Sequence, residues 1–237
     1  MYMNILDILF PKSCCICSKN GEYMCERCRK TLKRNLPECY ICRKISPHYK
    51  THLRCRQTYT YDSIFVGWEY NNLSSNILKK FKYSGVYDIE STLLCMVDSI
   101  LKDFEYIRDL RNSLVIPVPI SNSRLMDRGF NQTVELAKHI SSFFNFNFVE
   151  DLLMNIDDSN EHQALKDREE RRFSSFNKFV VNENYDLAVY DSILVVDDVI
   201  TTGATIEQIS KKIREHNKDI PLNAFCLFRG KPMFFKN

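Results

Sequence analysis

The sequence predicts an α/β protein, a mainly parallel sheet flanked by helices, with a small N-terminal domain stabilised by metal. Three observations lead there. From residue 63 onward, short runs of β-branched and aromatic residues alternate with helical patterns. Residues 192–206, SILVVDDVITTGATI, read as a buried strand, an acidic tip, a short loop and a helix start. Eight of the ten cysteines fall between residues 14 and 55, most of them in CxxC spacing.

Length and composition fit this division. A chain of 237 residues, 44% hydrophobic and 27% charged, has material for one medium domain and an appendage. We place the boundary at 60, giving a head of residues 1–60 and a body of residues 61–237. The opening MYMNILDILFP is apolar but short, carries Asp7 where a signal peptide has basic residues, and lacks a small-residue cleavage site. It reads as a short docked helix, with contact at a membrane surface as the alternative. No apolar run reaches the 18 or more residues of a membrane span, so a cytoplasmic protein is expected, peripheral to the membrane at most. The overall charge of +3 hides an asymmetry, because residues 1–60 hold 12 basic against 4 acidic residues, net +8, which leaves −5 for the rest. The head is therefore the end suited to a polyanion.

The head's cysteines have the spacings of zinc ligands. Cys14 with Cys17 and Cys25 with Cys28 form two knuckles, Cys39 with Cys42 a third, and His52 with Cys55 closes the set as HxxC. Two zinc ions follow most simply, one on Cys14, Cys17, Cys25 and Cys28, the other on Cys39, Cys42, His52 and Cys55. An interleaved pairing and His48 in place of His52 stay open, and Cys15 reads as a bystander. Disulfides are the competing interpretation, disfavoured by the absence of a secretory signature. So small a head buries little apolar surface, which makes metal the expected source of its folding energy. Its basic residues, among them Arg27, Lys30, Arg43, Lys44, Arg54 and Arg56, are interleaved with Tyr23, Tyr40, Tyr49, Tyr59 and Tyr61. Cations for phosphates and rings for bases suit single-stranded nucleic acid. Alternatively, the charges are a solvated face and the tyrosines a small core.

In the body, SIFVGWEY (63–70) is the first strand. The helical pattern of Ile77, Leu78 and Phe81 ends at Gly85, with Lys82 near a possible anion. Residues 88–104 form an amphipathic helix of scaffold character. LVIPVP (114–119) is a strand stopped by its prolines. A loop follows, carrying Arg124, Arg128, Gly129 and Asn131 ahead of a helix that runs to about residue 144, an arrangement apt for an anion. Phe146 to Leu153 and Phe176 to Val181 read as strands around a polar, charge-dense stretch, 157–173, that lacks periodicity. After the helix at 204–217, LNAFCLFRG (222–230) is the last strand. His139, His162 and His216 read as surface residues, Cys95 and Cys226 as core thiols.

The chemistry concentrates in residues 192–206. Backbone N–H groups at a turn and helix start bind anions, Gly203 permits close approach, and Thr201, Thr202 and Thr205 add donors beside Ala204. Asp197 and Asp198 would then meet sugar hydroxyls at the other end of the ligand. Phosphate at one end and acids at the other describe a ribose 5-phosphate. No GxxxxGK[ST] loop exists to support a nucleotide hydrolase.

VVDDVITTGAT resembles the phosphoribosyl diphosphate (PRPP) signature of type I phosphoribosyltransferases. The zinc knuckles, KYSG, IPVP with RGFNQ, and this signature together resemble, in order, the ComF/GntX family of competence-associated proteins. The resemblance implies a type I phosphoribosyltransferase-like domain behind a double zinc ribbon, with a part in natural transformation. It implies PRPP with Mg²⁺ at Asp197, Asp198 and Thr201 to Thr205, and diphosphate facing Arg124 and Arg128. Single-stranded DNA and competence-machinery proteins at the membrane are the implied partners. It also implies that residues 157–173 close over PRPP, although Gln163, Leu165, Glu169, Arg171 and Arg172 depart in spacing from the family pattern. An active transferase with an unidentified acceptor, in which Asp197 and Asp198 would be catalytic, and a non-catalytic PRPP sensor or scaffold are the alternatives.

Overall fold

The computed structural model describes residues 13–14, 16–22, 24–83, 87–156 and 178–230. The expectations for the N-terminal helix, Cys15, Tyr23, Gly85, His162 and the 157–173 stretch lie outside these residues. So do those for the side chains of Lys82 and Cys95.

The body is a five-stranded, fully parallel sheet in the order β1-β7-β6-β2-β3. Its strands are β1 (Ser63–Glu69), β2 (Ser113–Pro117), β3 (Asn147–Phe148), β6 (Ser192–Ile200) and β7 (Leu222–Arg229). The central strands β6 and β7 are apolar because both faces are covered, which is why they read as continuous runs. Between them lie helices α2 (Asn72–Tyr83), α3 (Tyr87–Leu101), α4 (Asn122–Arg128), α5 (Gln132–Phe144) and α6 (Ala204–His216), and α1 is a single turn in the head (Glu26–Arg29). Ile77, Leu78 and Phe81, and Leu93, Met96, Val97, Ile100 and Leu101, are buried as their periodicity predicts. Gly67 on β1 lies so close to α3 and β7 that a Cβ would stand 2.7 Å from Ile100 Cδ1 and 2.9 Å from the Leu227 carbonyl oxygen.

Two stretches differ from the sequence reading. Residues 146–153 do not make one strand: after the two residues of β3 the chain turns, and β4 (Leu153–Asn155) pairs antiparallel with β5 (Phe179–Val181) in a separate two-stranded sheet. Residues 122–128 form a helix instead of a loop, capped by Ser121 at the start and by Gly129, at φ +77°, at the end. That helix has no buried residue and so leaves no apolar period in the sequence.

Handedness decides where a ligand can enter. The connections β1 to β2 and β2 to β3 run one way across the sheet, whereas β6 to β7 runs the other. Right-handed crossovers then put α3 and α5 on one face and α6 on the opposite face. Consistent with this, α3 and α5 touch, and His139 Nε2 on α5 lies 2.6 Å from Asp98 Oδ1 on α3. The order reverses between β2 and β6, so the loops beyond their carboxyl ends diverge and open a crevice.

The head lies along the other edge of the sheet. Arg34 and Lys50 form antiparallel bridges with Trp68 and Ser63, the Asn35 N–H donates to the Gly67 carbonyl, and the Glu69 N–H donates to that of Lys33. The exposed edge of β1 is thereby paired, and the opposite edge is the two-residue β3; both are ways of avoiding an open template.

Candidate functional site

The crevice at the switch point holds a cavity of about 330 Å³. Val118 to Ser121 enter it from the loop after β2, and Asp197, Asp198 and Val199 from the end of β6. Arg124 and Arg128 come from α4, Gln132 and Thr133 from the first turn of α5, and Thr205 from the first turn of α6. Asn155, Lys178 and Phe179 close one side from the β4–β5 pair. The topology therefore brings two helix N-termini, which favour anions, and three cations to a pair of carboxylates.

Local chemistry fixes these positions. Pro117 ends β2 at no cost in hydrogen bonding. Because Val118 donates its N–H to the Val196 carbonyl, the N–H that Pro117 lacks would have pointed toward β3, which has already ended. Asn131 then caps α5: its Oδ1 accepts from the Thr133 N–H at 3.2 Å, and its Nδ2 donates to the Val118 carbonyl at 3.1 Å. Thr133 Oγ1 donates to the same carbonyl at 2.7 Å.

Strand β6 continues past the acidic pair to Ile200, because β7 keeps pairing with it as far as Arg229. The carboxylates thus sit on the strand, correcting the expectation of an acidic tip beyond it. Asp197 Oδ1 accepts from the Asp198 N–H at 2.8 Å. In the loop that follows, Gly203 adopts φ +88°, a conformation that suits glycine, and caps α6. Thr202 Oγ1 accepts from the Ala204 N–H at 3.3 Å. Of the expected anion-binding residues, Thr205 lines the cavity from α6; Thr201, Thr202 and Gly203 form the bend beside it, and Ala204 begins the helix.

Arg124, Arg128, Asp197, Asp198 and Thr205 were all expected at the site, and one cavity now holds them. Lys178, Asn155 and Gln132 were missed. Lys178 and Asn155 reach the cavity only through the β4–β5 pairing, which no local pattern announces. Gln132 is the first residue of α5 and was legible as a helix start beside two arginines.

The head holds two sets of four donors, Cys14, Cys17, Cys25 and Cys28, and Cys39, Cys42, His52 and Cys55, each with its ligand atoms within 4.8 Å of one another. Cys17 and Cys25 Sγ are 3.7 Å apart, and Cys42 Sγ is 3.3 Å from His52 Nδ1. Zinc–sulfur bonds of about 2.3 Å at tetrahedral angles separate ligand atoms by roughly 3.8 Å, so both sets could hold zinc. His48 points elsewhere, packing edge-on against Tyr106 at 4.6 Å. Backbone donors favour thiolates: the Lys44 N–H brings the Cys42 thiol down to about 6. Cys14 is raised by burial, yet the N–H groups of Cys25, Cys17 and Ile16 outweigh this and also bring it to about 6.

Of the basic residues considered for nucleic acid, Arg27, Lys44 and Arg54 are exposed, whereas exposed Lys30 and Arg56 pair with Glu26 and Asp62 at 2.8 and 3.3 Å. Arg43 turns inward to Glu38, at 3.1 Å. Tyr49 and Tyr61 are buried and Tyr40 is half-buried, so these rings serve the core, while Tyr59 remains exposed. No helix among the described residues is long and apolar enough to cross a membrane.

No protein-family model matches the chain. Curated relatives do. Competence protein F of Haemophilus influenzae is 27% identical over 203 residues, covering 84% of this chain and 86% of the relative. Competence protein ComFC of Bacillus subtilis is 26% identical, covering 90% and 86%. That of Streptococcus pneumoniae is 24% identical, covering 94% of both chains. Over most of its length the chain is thus similar to competence proteins F and ComFC. The match to the pneumococcal protein spans nearly the full length of both chains.

Proposed function

We propose that this protein serves in competence for DNA uptake, holding PRPP in the switch-point cleft and single-stranded DNA on its basic head, residues 1–60. The observation that carries the reading is the meeting of Asp197 and Asp198, Arg124 and Arg128, and the first turn of α6 in one cavity. A ligand that satisfies all three has a phosphate for the helix start, vicinal hydroxyls for the carboxylates and a second anionic group for the arginines. In this arrangement the 5-phosphate lies in the Thr201–Thr205 loop, and the diphosphate lies against Arg124 and Arg128. Mg²⁺ enters with the diphosphate as its counterion. The names of the relatives support the competence role. Exposed Arg27, Lys44 and Arg54 beside the cysteine sets support the DNA contact, with Lys30, Arg43 and Arg56 as the wider basic surface.

The test is calorimetry with PRPP and Mg²⁺. Wild-type protein should bind, and the double variant Asp197→Ala/Asp198→Ala should lose affinity by about 100-fold or more, since two charge-assisted contacts are removed. Equal affinity would rule out the site. Release of diphosphate during the titration, when nucleobases are added as acceptors, would make the protein a transferase. Single-stranded DNA affinity should fall steeply between low and physiological salt; a flat response would exclude the electrostatic head.

A further inference from the structure

Around the cleft, the first turn of α5 satisfies its polar groups with one exception. Asn131 and Thr133 each hydrogen-bond to the Val118 carbonyl, just past β2, and to each other. Between them, Gln132 is 1% exposed, and its Nε2 has no hydrogen-bond partner among the described residues. Its Oε1 accepts from Arg128 Nη1 at 3.2 Å. This last bond fixes which way the amide faces, because a guanidinium has donors only: Oε1 must be turned to Arg128, and both Nε2 protons to something else. A buried amide donor left unpaired in the wall of a cleft, beside a cation and at a helix N-terminus, is matched by an anionic oxygen.

We infer that Gln132 reads the diphosphate end of the ligand, holding Arg128 through Oε1 and donating through Nε2 to a phosphate oxygen. The inference rests on the proposed PRPP site and adds a residue to it. In the free cleft the amide lies against the wall, sealed from water; as Arg128 engages the anion, the side chain turns and its unused donors gain a partner. Gln132 is thus a discriminator: a ligand with an anion at this end satisfies the donor, and one without leaves it buried and unpaired.

The decisive variant is Gln132→Glu. Its carboxylate still accepts from Arg128, so the fold should keep its melting temperature or gain a little, while the donor is replaced by a negative charge that repels phosphate. PRPP and inorganic diphosphate should bind at least about 10-fold more weakly, the loss expected for a hydrogen bond to a charged group. Ribose 5-phosphate lacks the group being read, and its affinity should stay within about twofold. If wild-type protein binds PRPP but Gln132→Glu binds all three ligands as wild type does, or weakens all three alike, the assignment is overturned while the site stands. If wild-type protein binds none of them, the site reading itself fails. Should Gln132→Glu not fold, Gln132→Ala supplies the same comparison, with PRPP and diphosphate weakened and ribose 5-phosphate spared.

Discussion

The two cysteine sets use the same chemistry but are built into the molecule differently. Among the described residues, the hydrogen bonds of residues 13–32 close within that stretch: Cys14 N–H to the Lys19 carbonyl, Ser18 N–H to that of Cys14, and Arg29 N–H to that of Cys25. Cys14, Met24, Cys25, Cys28 and Leu32 touch the common core only through apolar packing. The second set is stitched to the sheet. Buried Arg229 on β7 donates to the Tyr40 carbonyl at 2.8 Å, and its guanidinium lies 3.2 Å from Glu38, which also faces Arg43. Tyr40 Oη accepts from the Tyr61 N–H at 3.2 Å, and Tyr61 Oη donates to the Ile206 carbonyl in the first turn of α6. Ser210 and Arg214, one and two turns on, donate to the carbonyls of Tyr59 and Thr60. Three consecutive residues after the second set therefore fasten three consecutive turns of the helix whose start forms the ligand loop. The difference teaches that two equivalent motifs can have unequal reach: the first organises itself, and the second also supports the cleft.

The largest effect should come from breaking the second set. Cys42→Ser should halve the bound zinc, counted by atomic absorption. It should also weaken PRPP binding by about 10-fold or more, because zinc supplies folding free energy to the segment that positions Tyr61 and Arg229. A full loss of the second metal with unchanged PRPP affinity would show that the stitches carry no coupling.

How much of this was readable in the sequence depends on whether the signal is local. The eight donors were legible because zinc demands fixed spacings, and β6 with its loop because a β-branched run, two carboxylates and a glycine at positive φ are all local features. Helix α4 was not read, for it buries nothing and so has no stripe; only its caps, Ser121 and Gly129, mark it. Lys178 was missed for a different reason. It belongs to the site through pairing of β5 with β4, and the register Leu153 to Val181 joins segments far apart in the chain. Nor could basic residues be sorted from sequence into those that face solvent, like Arg54, and those turned inward, like Arg43, since Glu38 and Arg229 decide that in three dimensions.

The smallest effect on the cleft is expected from the first set, and it is the sharper half of the comparison. Cys17 is partly exposed, and its sulfur lies 3.7 Å from Cys25, within a stretch whose hydrogen bonds, among the described residues, do not leave it. Cys17→Ser should also halve the zinc content, and it should release protection from hydrogen exchange across residues 13–32, because so short a segment has little besides metal to order it. The ligand cleft should not notice. Tyr40, Tyr61 and Arg229 keep their partners, so PRPP affinity should stay within about twofold of wild type. If Cys17→Ser instead weakens PRPP as much as Cys42→Ser does, the head responds as one cooperative unit, and the apolar contacts of Met24 and Leu32 with the core transmit as much as the hydrogen bonds around Tyr61.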